Sequence, residues 1–458
     1  MDGKQQKNRK NPTSDGRARS EALQEPSGGS EPCMAENETG DQRTERLMEE
    51  ILERENLKTA LKAVLKNKGA PGVDGMTVDE LPGYLKDNWK RIRAQLLEGN
   101  YAPQPVRRVE IPKPGGGVRK LGVPTVLDRW IQQGVQQVLQ KHWDPTFSES
   151  SYGFRPRRSA HQAVERARDY IREGHSYVVD FDLEKFFDRV NHDVLMSRVA
   201  RRITDKTVLT LIRAFLNAGI MENGLVSASD EGVPQGGPLS PILSNLLLDD
   251  LDRELEKRQL KFVRYADDCN VYVKSARAGE RVMESITKFL AKRLRLKVNG
   301  EKSAVGKPAW RKFLGFSFTG GANPKIRIAS QALERAKTKI RQLTKPTKGR
   351  SLKQIIEELA SYLIGWRGYF GHCETPSVLN RLDQWIRRRL RAVVWRQWKR
   401  GRKRYAALRK RDVDHNLAAQ TSGSPKGPWR ISKSPALNLA LPNRYFAALG
   451  LPLLVRSS

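Results

Sequence analysis

The chain has 458 residues, room for two or three domains around a sizeable core. Its 84 Lys and Arg stand against 51 Asp and Glu, a formal net charge of +33, and an excess of that size points to a polyanionic partner, nucleic acid before membrane. No apolar run approaches the ~20 residues of a membrane span, and the N-terminus lacks the apolar core of a secretion signal. The three cysteines, Cys33, Cys269 and Cys373, form no Cys-x-x-Cys pair, which excludes a zinc ribbon or knuckle on the usual spacing and fits a reducing, cytoplasmic setting.

Residues 1–42 are polar, mixed in charge and rich in Gly, Ser, Asn, Gln and Glu; such a segment cannot bury a core, and disorder is expected there. From Thr44 onward Leu47, Ile51, Leu57, Leu61, Val64 and Leu65 recur near helical spacing, which predicts one or two helices. A turn-rich loop, Gly69 to Gly75, separates them from a further helix over 77–98. Residues 109–124 read as two strands around Gly115-Gly116-Gly117, with Lys113 and Arg119 flanking the turn. Two cations beside a flexible hairpin suit a triphosphate; an ordinary solvated basic hairpin has the same pattern. A helix is expected over 128–141. Ser151 to Arg158 is an Arg-rich loop with two aromatics, in which Arg155 either tracks a nucleic-acid backbone or is simply part of a basic loop.

Tyr177 to Leu183 reads as a strand. Asp180 and Asp182, two apart, share one of its faces, and acids buried on a strand are disfavoured unless they bind something. One helix is expected over 192–218. The loop Gly232 to Pro241 then runs into an apolar helix over 242–255; Gly236 and Gly237 in it let a backbone or base approach closely, and Gln235 can donate and accept hydrogen bonds. Phe262 to Lys274 predicts two short strands, with Asp267 and Asp268 where the chain must turn. Two adjacent carboxylates repel unless a cation sits with them, and oxygen ligands on a tight turn suit Mg²⁺. Another helix is expected near 281–294, with short strands over 296–303 and 313–318.

After about Gln331 the composition changes: residues 331–410 hold 22 Lys and Arg against 5 Asp and Glu. Helical periodicity runs over 352–370 and 377–400. In the second stretch Leu379, Leu382, Ile386, Leu390, Val393 and Val394 line one face, while Arg387, Arg388, Arg389, Arg391 and Arg396 spread beyond it. A basic amphipathic helix lies on a membrane or along a nucleic-acid backbone. From about 411 to 435 the chain is a Ser/Pro/Gly-bearing tail; its end, Tyr445 to Leu454, is apolar enough to dock back on the body.

One acid on a strand and two on a distant hairpin give three carboxylates that can converge, and three carboxylates can hold two divalent ions. In block order from about Asn56 to Arg400 the chain resembles the group II intron-encoded reverse transcriptases/maturases. Lys68-Gly69 through Gly75 resembles that family's N-terminal block. Ile111-Pro-Lys-Pro114 and Arg119-Lys-Leu-Gly-Val-Pro124 resemble its fingers blocks, with Lys120 where the family usually has Pro. Asp182-Leu-Glu-Lys-Phe-Phe-Asp188 resembles the first catalytic block, Pro234 to Pro241 the template and nucleotide block, Tyr265-Ala-Asp-Asp268 the polymerase hairpin, Leu296–Lys302 and Phe313-Leu-Gly-Phe316 the last palm blocks, and Tyr362 to Phe370 the thumb or maturase block.

The resemblance implies an α+β right-hand polymerase with helical-plus-hairpin fingers, a palm with a small antiparallel sheet, and a helical basic thumb. It assigns catalysis and metal binding to Asp182, Asp267 and Asp268, with Asp180 as second choice. It assigns nucleotide contact to Lys113, Arg119, Gln235 and Phe187, the last crowding the ribose 2′ position. Template and primer contacts fall to Gly236, Gly237, Arg155 and Lys302, and RNA contacts of the thumb to Arg387, Arg388, Arg391 and Arg396. The expected domains are the tail 1–42, fingers and palm 43–330, thumb or maturase region 331–410, and 411–458 as a basic tail with a docking end. The implied cofactor is a pair of Mg²⁺ ions and the implied partners are group II intron RNA, a DNA primer or target and dNTPs, with no membrane and the oligomeric state open. Some family members end in a Cys-paired His-Asn-His endonuclease domain; three scattered cysteines leave no expectation of second-strand cleavage. The alternatives are a chain that works mainly as an RNA-binding splicing maturase, or a related bacterial defence or diversity-generating reverse transcriptase.

Overall fold

Ten strands and seventeen helices form in a computed structural model of the chain, which describes residues 45–112, 117–222, 225–227, 231–345 and 349–455. The tail 1–42 and Lys113 lie outside the described residues. In chain order the helices α1 (Leu47–Ile51), α2 (Arg54–Asn67) and α3 (Leu81–Leu97) precede the strands β1 (Val106–Pro112) and β2 (Val118–Val123). Helix α4 (Val126–Trp143) follows, started by Thr125, whose hydroxyl accepts the Asp128 amide at 3.1 Å. Its buried face carries Trp130, Ile131, Val135, Val138, Leu139 and Trp143. It packs on α2, to which the Trp130 indole donates a hydrogen bond at the Leu57 carbonyl (3.0 Å).

Helix α5 (Ala160–Arg172) leads to β3 (Tyr177–Phe181), α6 (His192–Val199), α7 (Lys206–Asn217), β4 (Ile220–Glu222), β5 (Leu225–Ser227) and α8 (Ser240–Lys257). Then come β6 (Lys261–Tyr265), β7 (Asp268–Val273), α9 (Ala276–Phe289) and β8 (Ala304–Gly306), with the hairpin β9 (Phe316–Phe318) and β10 (Ile326–Ile328). The α+β class expected from the sequence is the class that forms. One four-stranded sheet has the order β2-β1-β4-β5; the other, β6-β7-β3-β8, is antiparallel throughout. Its helix-facing side belongs to an apolar cluster running from Leu47 to Leu296. Its other side, through Val178, Val263 and Tyr272, packs with Phe313, Phe316, Phe318 and Ile326 of the β9–β10 hairpin.

The last third is helical: α10 (Ser330–Leu343), α11 (Leu352–Phe370), α12 (Pro376–Gln397), α13 (Gly401–Arg409), α14 (His415–Ser422), α15 (Pro428–Ile431), α16 (Pro435–Ala440) and α17 (Asn443–Ala448). These share one core, from Ile328 to Leu454. Among the described residues no helix is long and apolar enough to cross a membrane.

Three elements differ from the sequence reading. The helix expected over 192–218 is two: the first ends at Val199, and Asp205 caps the start of the second. One carboxylate oxygen accepts the amides of Thr207 (2.9 Å) and Val208 (3.1 Å), and the other accepts the Met48 amide (2.9 Å). Residues 296–303 form no strand beyond an isolated bridge between Leu183 and Val298; the strand is β8, just after them. Between 411 and 435 the Ser and Pro residues start helices rather than mark a loop. Pro428 and Pro435 occupy first-turn positions, where the missing N–H costs nothing, and Ser434 accepts the Leu437 amide.

Because Asp205 is buried and satisfies three amides, Asp205→Ala is expected to lower stability by about 2 kcal/mol or more. Asp205→Asn, which keeps one acceptor oxygen, is expected to cost less. Urea unfolding midpoints of the two variants check this.

Candidate active site

Strands β6 and β7 pair antiparallel with Tyr265 opposite Asp268, so only Ala266 and Asp267 make the reversal. Ala266 sits at φ +57°, a left-handed conformation that a residue with a Cβ adopts at some cost. What holds it there is Arg264. Its side chain is fully buried, and it donates to the Ala266 carbonyl (3.0 Å), to Asn245 Oδ1 (3.0 Å) and, through Nε, to Asp252 Oδ1 (2.7 Å). Asp252 and Asn245 both lie on α8 and are both buried.

From the other side comes the loop 150–153. The Tyr152 amide donates to the Arg264 carbonyl (2.8 Å), and the Arg264 amide donates to the Ser150 carbonyl (2.9 Å). Gly153 then lies against the turn so closely that a Cβ there would stand 2.2 Å from the Ala266 nitrogen; no side chain fits. Asn245 ties the loop in by donating to the Gly153 carbonyl (2.8 Å). Helix, loop and turn are one hydrogen-bonded unit.

Strand β3 supplies the third acid. It pairs with β7 so that Asp180 faces Asn270 and Phe181 faces Cys269; continuing that register by one residue sets Asp182 across from Asp268. Opposed residues on antiparallel strands have Cβ atoms about 4.5–5.5 Å apart. The charges act on one another. Burial pushes the Asp267 carboxyl up and Asp182 pushes it further, with Arg119 opposing. Asp268 keeps an exposed surface but is packed about by protein. Burial first, then Asp267, Asp180 and Asp182, drive its carboxyl up to about 7.

Asp180 is placed differently: Arg311 binds its Oδ2 through Nε (3.1 Å) and through a terminal nitrogen (2.7 Å). It therefore already has a cation, while Asp182 has only Lys302, 3.6 Å away and largely exposed. Among the described residues no three His, Cys, Asp or Glu side chains close on a point that could hold a metal ion; like charges at this range push their carboxylates apart. The donor set nevertheless suits a hard divalent cation: three carboxylates, all oxygen, with too little positive charge of their own around them.

Asp182 and Asp267 open into a cleft of about 1600 Å³, lined also by Arg119, Phe187, Gln235, Gly236, Gly237, Lys302 and Phe154. The cleft thus gathers most residues to which the sequence assigned nucleotide or template contact. Phe187 is half-buried, its ring edge-on to Phe186, and its carbonyl accepts the Val233 amide (2.7 Å). Two glycines of the wall are used against the chain itself. A Cβ on Gly236, at φ +137°, would lie 2.6 Å from the Gly122 carbonyl oxygen, and one on Gly237 would lie 2.4 Å from Gln132 Oε1. The Gln235 carbonyl accepts the Gly122 amide (3.0 Å), so this loop is fastened to β2.

Comparison with known proteins decides the family. Residues 111–318 match the family described as reverse transcriptase (RNA-dependent DNA polymerase), and residues 333–411 match the group II intron maturase-specific domain. Protein YkfC of Escherichia coli (strain K12) is 35% identical over 303 residues, which is 57% of this chain and 80% of that protein. The chain belongs to the group II intron reverse transcriptase/maturase family. The group II intron-encoded protein LtrA of Lactococcus lactis subsp. cremoris is 36% identical over 220 residues, 48% of this chain and 36% of that protein. A putative COX1/OXI3 intron 1 protein of Saccharomyces cerevisiae is 25% identical over 423 residues, covering 76% of this chain and 50% of that protein. The chain therefore spans half or less of the latter two.

The fold is accordingly that of a right-hand polymerase, with the sheet β6-β7-β3-β8 as palm and helices α10–α13 in the matched maturase region. Several arginines of this reverse transcriptase are not where a nucleic-acid contact needs them. Arg155 is 7% exposed and uses its guanidinium internally, on Asp144 Oδ1 (2.8 Å) and on the carbonyls of Ser148 (2.6 Å), Ser151 (3.0 Å) and Asp144 (2.7 Å). In the thumb Arg387 is buried beside Asp383 at 3.7 Å. Arg388 lies over the Trp429 ring, 3.8 Å from its centroid, and donates to the Trp429 carbonyl. Arg391 donates to the Leu441 carbonyl (3.0 Å). Arg388 and Arg391 fasten α12 to the C-terminal segment, while Arg387 pairs within α12; Arg396 alone of the four thumb candidates is exposed. Sequence reasoning also passed over Arg264, Asp252 and Asn245. The available signal was an arginine inside an otherwise apolar strand.

Two predictions follow from this geometry. Arg264→Met leaves Asp252 buried without a partner and is expected to cost about 3–5 kcal/mol. The double variant with Asp252→Leu is expected to recover much of that stability, without recovering the hold on the Ala266 carbonyl; unfolding midpoints of the double-mutant cycle test it. Asp268, at about 7 in the folded chain and near the ordinary ~3.9 unfolded, binds more protons when folded between those values. Its contribution therefore falls as pH rises from about 4 to 7. In chelator-treated protein, Asp268→Asn is expected to melt above wild type at pH 8 and level with it near pH 4.

Proposed function

We propose that this chain extends a DNA primer on its intron RNA, adding dNTPs with the help of two Mg²⁺ ions at Asp182, Asp267 and Asp268, and that it binds the same RNA to assist splicing. The observation that carries the reading is the register of β3 against β7, which brings Asp182 level with the Asp267–Asp268 turn from a distant part of the sequence, with Asp182 and Asp267 both lining the cleft. Bound there, the ions would supply charge stabilisation to the reacting phosphate and lower the pKa of the attacking hydroxyl.

The chain's own residues do the rest. Asp267 and Asp268 are held rigidly by Arg264 from behind, so the carboxylates meet the incoming group without reorganisation. Arg119, exposed on β2 in the cleft wall, offers its guanidinium to the triphosphate. Phe187 presents an aromatic edge on the cleft wall where a ribose 2′-hydroxyl would have to fit. Lys302, already at Asp182, balances part of the acidic charge between substrates.

A second reading, that splicing assistance is the main task, draws support from the matched maturase-specific domain. One variant separates the two. Asp267→Ala is expected to lower primer extension by at least ~10³-fold, while RNA binding, measured by filter retention, stays within about threefold of wild type. Normal cDNA yield would remove the assignment of the site. Unchanged splicing of the parent RNA by the same variant would show that the maturase role does not need the acids.

A further inference from the structure

Trp310 stands in the loop between β8 and β9 with its ring 80% exposed. A lone exposed aromatic is ordinary, but this one is held in place. On its N-terminal side the Ala309 carbonyl accepts a bond from Arg327 (2.7 Å), and Arg327 is fixed in turn on Ser317 Oγ (3.0 Å). On its C-terminal side Arg311 binds Asp180 on β3 and the carbonyl of Lys302 (2.7 Å). The Trp310 amide itself donates to the Lys307 carbonyl (2.9 Å). Two anchored neighbours and a turn hydrogen bond thus present the indole to solvent from a fixed backbone.

The surroundings are cationic. From Lys302 to Lys312 the chain holds Lys302, Lys307, Arg311 and Lys312 and no Asp or Glu. Lys307 and Lys312 are exposed. Lys302 lines the cleft and reaches Asp182, and the Lys312 charge is felt at Asp180 and Asp268. A rigid aromatic face between exposed lysines, at the edge of the acidic site, is the combination that grips a nucleic-acid strand by stacking on a base or sugar while cations meet the phosphates.

We infer that Trp310 packs on a backbone sugar of the duplex of template and growing strand, with Lys307 and Lys312 as its phosphate partners. The inference rests on the polymerase reading for the identity of the duplex. A second copy of this chain would need a matching apolar surface and no cationic rim, and the lysines argue for the polyanion.

The test uses the full-length protein with Trp310→Ala, Trp310→Phe and a Lys307→Ala/Lys312→Ala pair. Affinity for a fluorescein-labelled DNA primer annealed to an RNA template is followed by anisotropy across a salt series. Trp310→Ala is expected to bind roughly tenfold to hundredfold more weakly with the salt dependence unchanged, and Trp310→Phe to keep most of the affinity. The lysine pair is expected to lose up to ~2 from the slope of log affinity against log salt. In steady-state extension Trp310→Ala should raise KM for primer–template and leave kcat near wild type. Wild-type affinity and KM in Trp310→Ala would overturn the inference, and so would a loss of affinity that tracks loss of self-association by sedimentation. Trp310-dependent binding by a wild-type protein that extends nothing would uphold the contact and defeat the polymerase reading instead.

Discussion

Carboxylates that repel one another must be kept together by something other than their own chemistry, and here that is the buried contact between Arg264 and Asp252. The sheet register brings Asp182 level with Asp268, but register alone does not set a turn. The turn residue Ala266 is left-handed, and each charge added at the tip favours opening it. Arg264 opposes this through the backbone, by binding the Ala266 carbonyl, and it stands firm because α8 surrounds it with Asp252 and Asn245. A buried ion pair is weak evidence for stability in general, since desolvation cancels much of its attraction. Its value here is positional: it is satisfied in one arrangement of helix, loop and hairpin, and in that arrangement Asp267 faces the cleft with Asp268 beside it.

The same use of arginine recurs in the thumb and alters the meaning of the net charge. Composition counts Arg387, Arg388 and Arg391 as candidates for RNA, yet Arg388 and Arg391 are spent on the contact between α12 and the C-terminal segment and Arg387 is buried beside Asp383 of its own helix. Arg389 likewise binds the Thr344 hydroxyl from Nε (3.0 Å) and lies near the Trp385 ring. Guanidinium suits this task, because its planar fork caps carbonyls and lies on aromatic rings without needing to be neutralised. A charge of +33 is thus an upper bound on the cationic surface, and Arg396, Lys307 and Lys312 are among the cations left exposed.

Much of the fold was legible in the sequence because the signals were local. The periodicity over 352–370 is helix α11, and the β-branched run around the two acids is the β6–β7 hairpin. The candidate residues of the cleft were legible for the same reason: their types and spacings are unusual at short range. What stayed hidden was set at long range. Nothing near Arg155 says that Asp144 and three carbonyls will absorb its donors, and nothing near Asp205 says that the amide it satisfies belongs to Met48. The choice between Asp180 and Asp182 is of this kind too. Two acids on one face of a strand look equivalent until Arg311 arrives from far along the chain to claim one of them.

The back of the palm carries that long-range logic into the thumb. The aromatic cluster behind the sheet includes Val263 and Tyr272 of the catalytic hairpin, Phe316 and Phe318 of β9, and, packed against them, Tyr369 and Phe370 at the end of α11. The Tyr369 hydroxyl donates to the Leu314 carbonyl (2.8 Å), His161 on α5 meets the Tyr369 carbonyl (2.8 Å), and Arg168 on the same helix pairs with Glu374 (2.7 Å). The end of α11 is therefore seated on the hairpin whose first strand follows the Trp310 loop, and that hairpin is seated on the strands that bear Asp182 and Asp268. Since packed cores shift between discrete arrangements rather than bend continuously, a thumb that changes its seat must carry β9 with it. The spacing between the acids and any duplex held by the thumb is thereby set by one apolar cluster that touches neither.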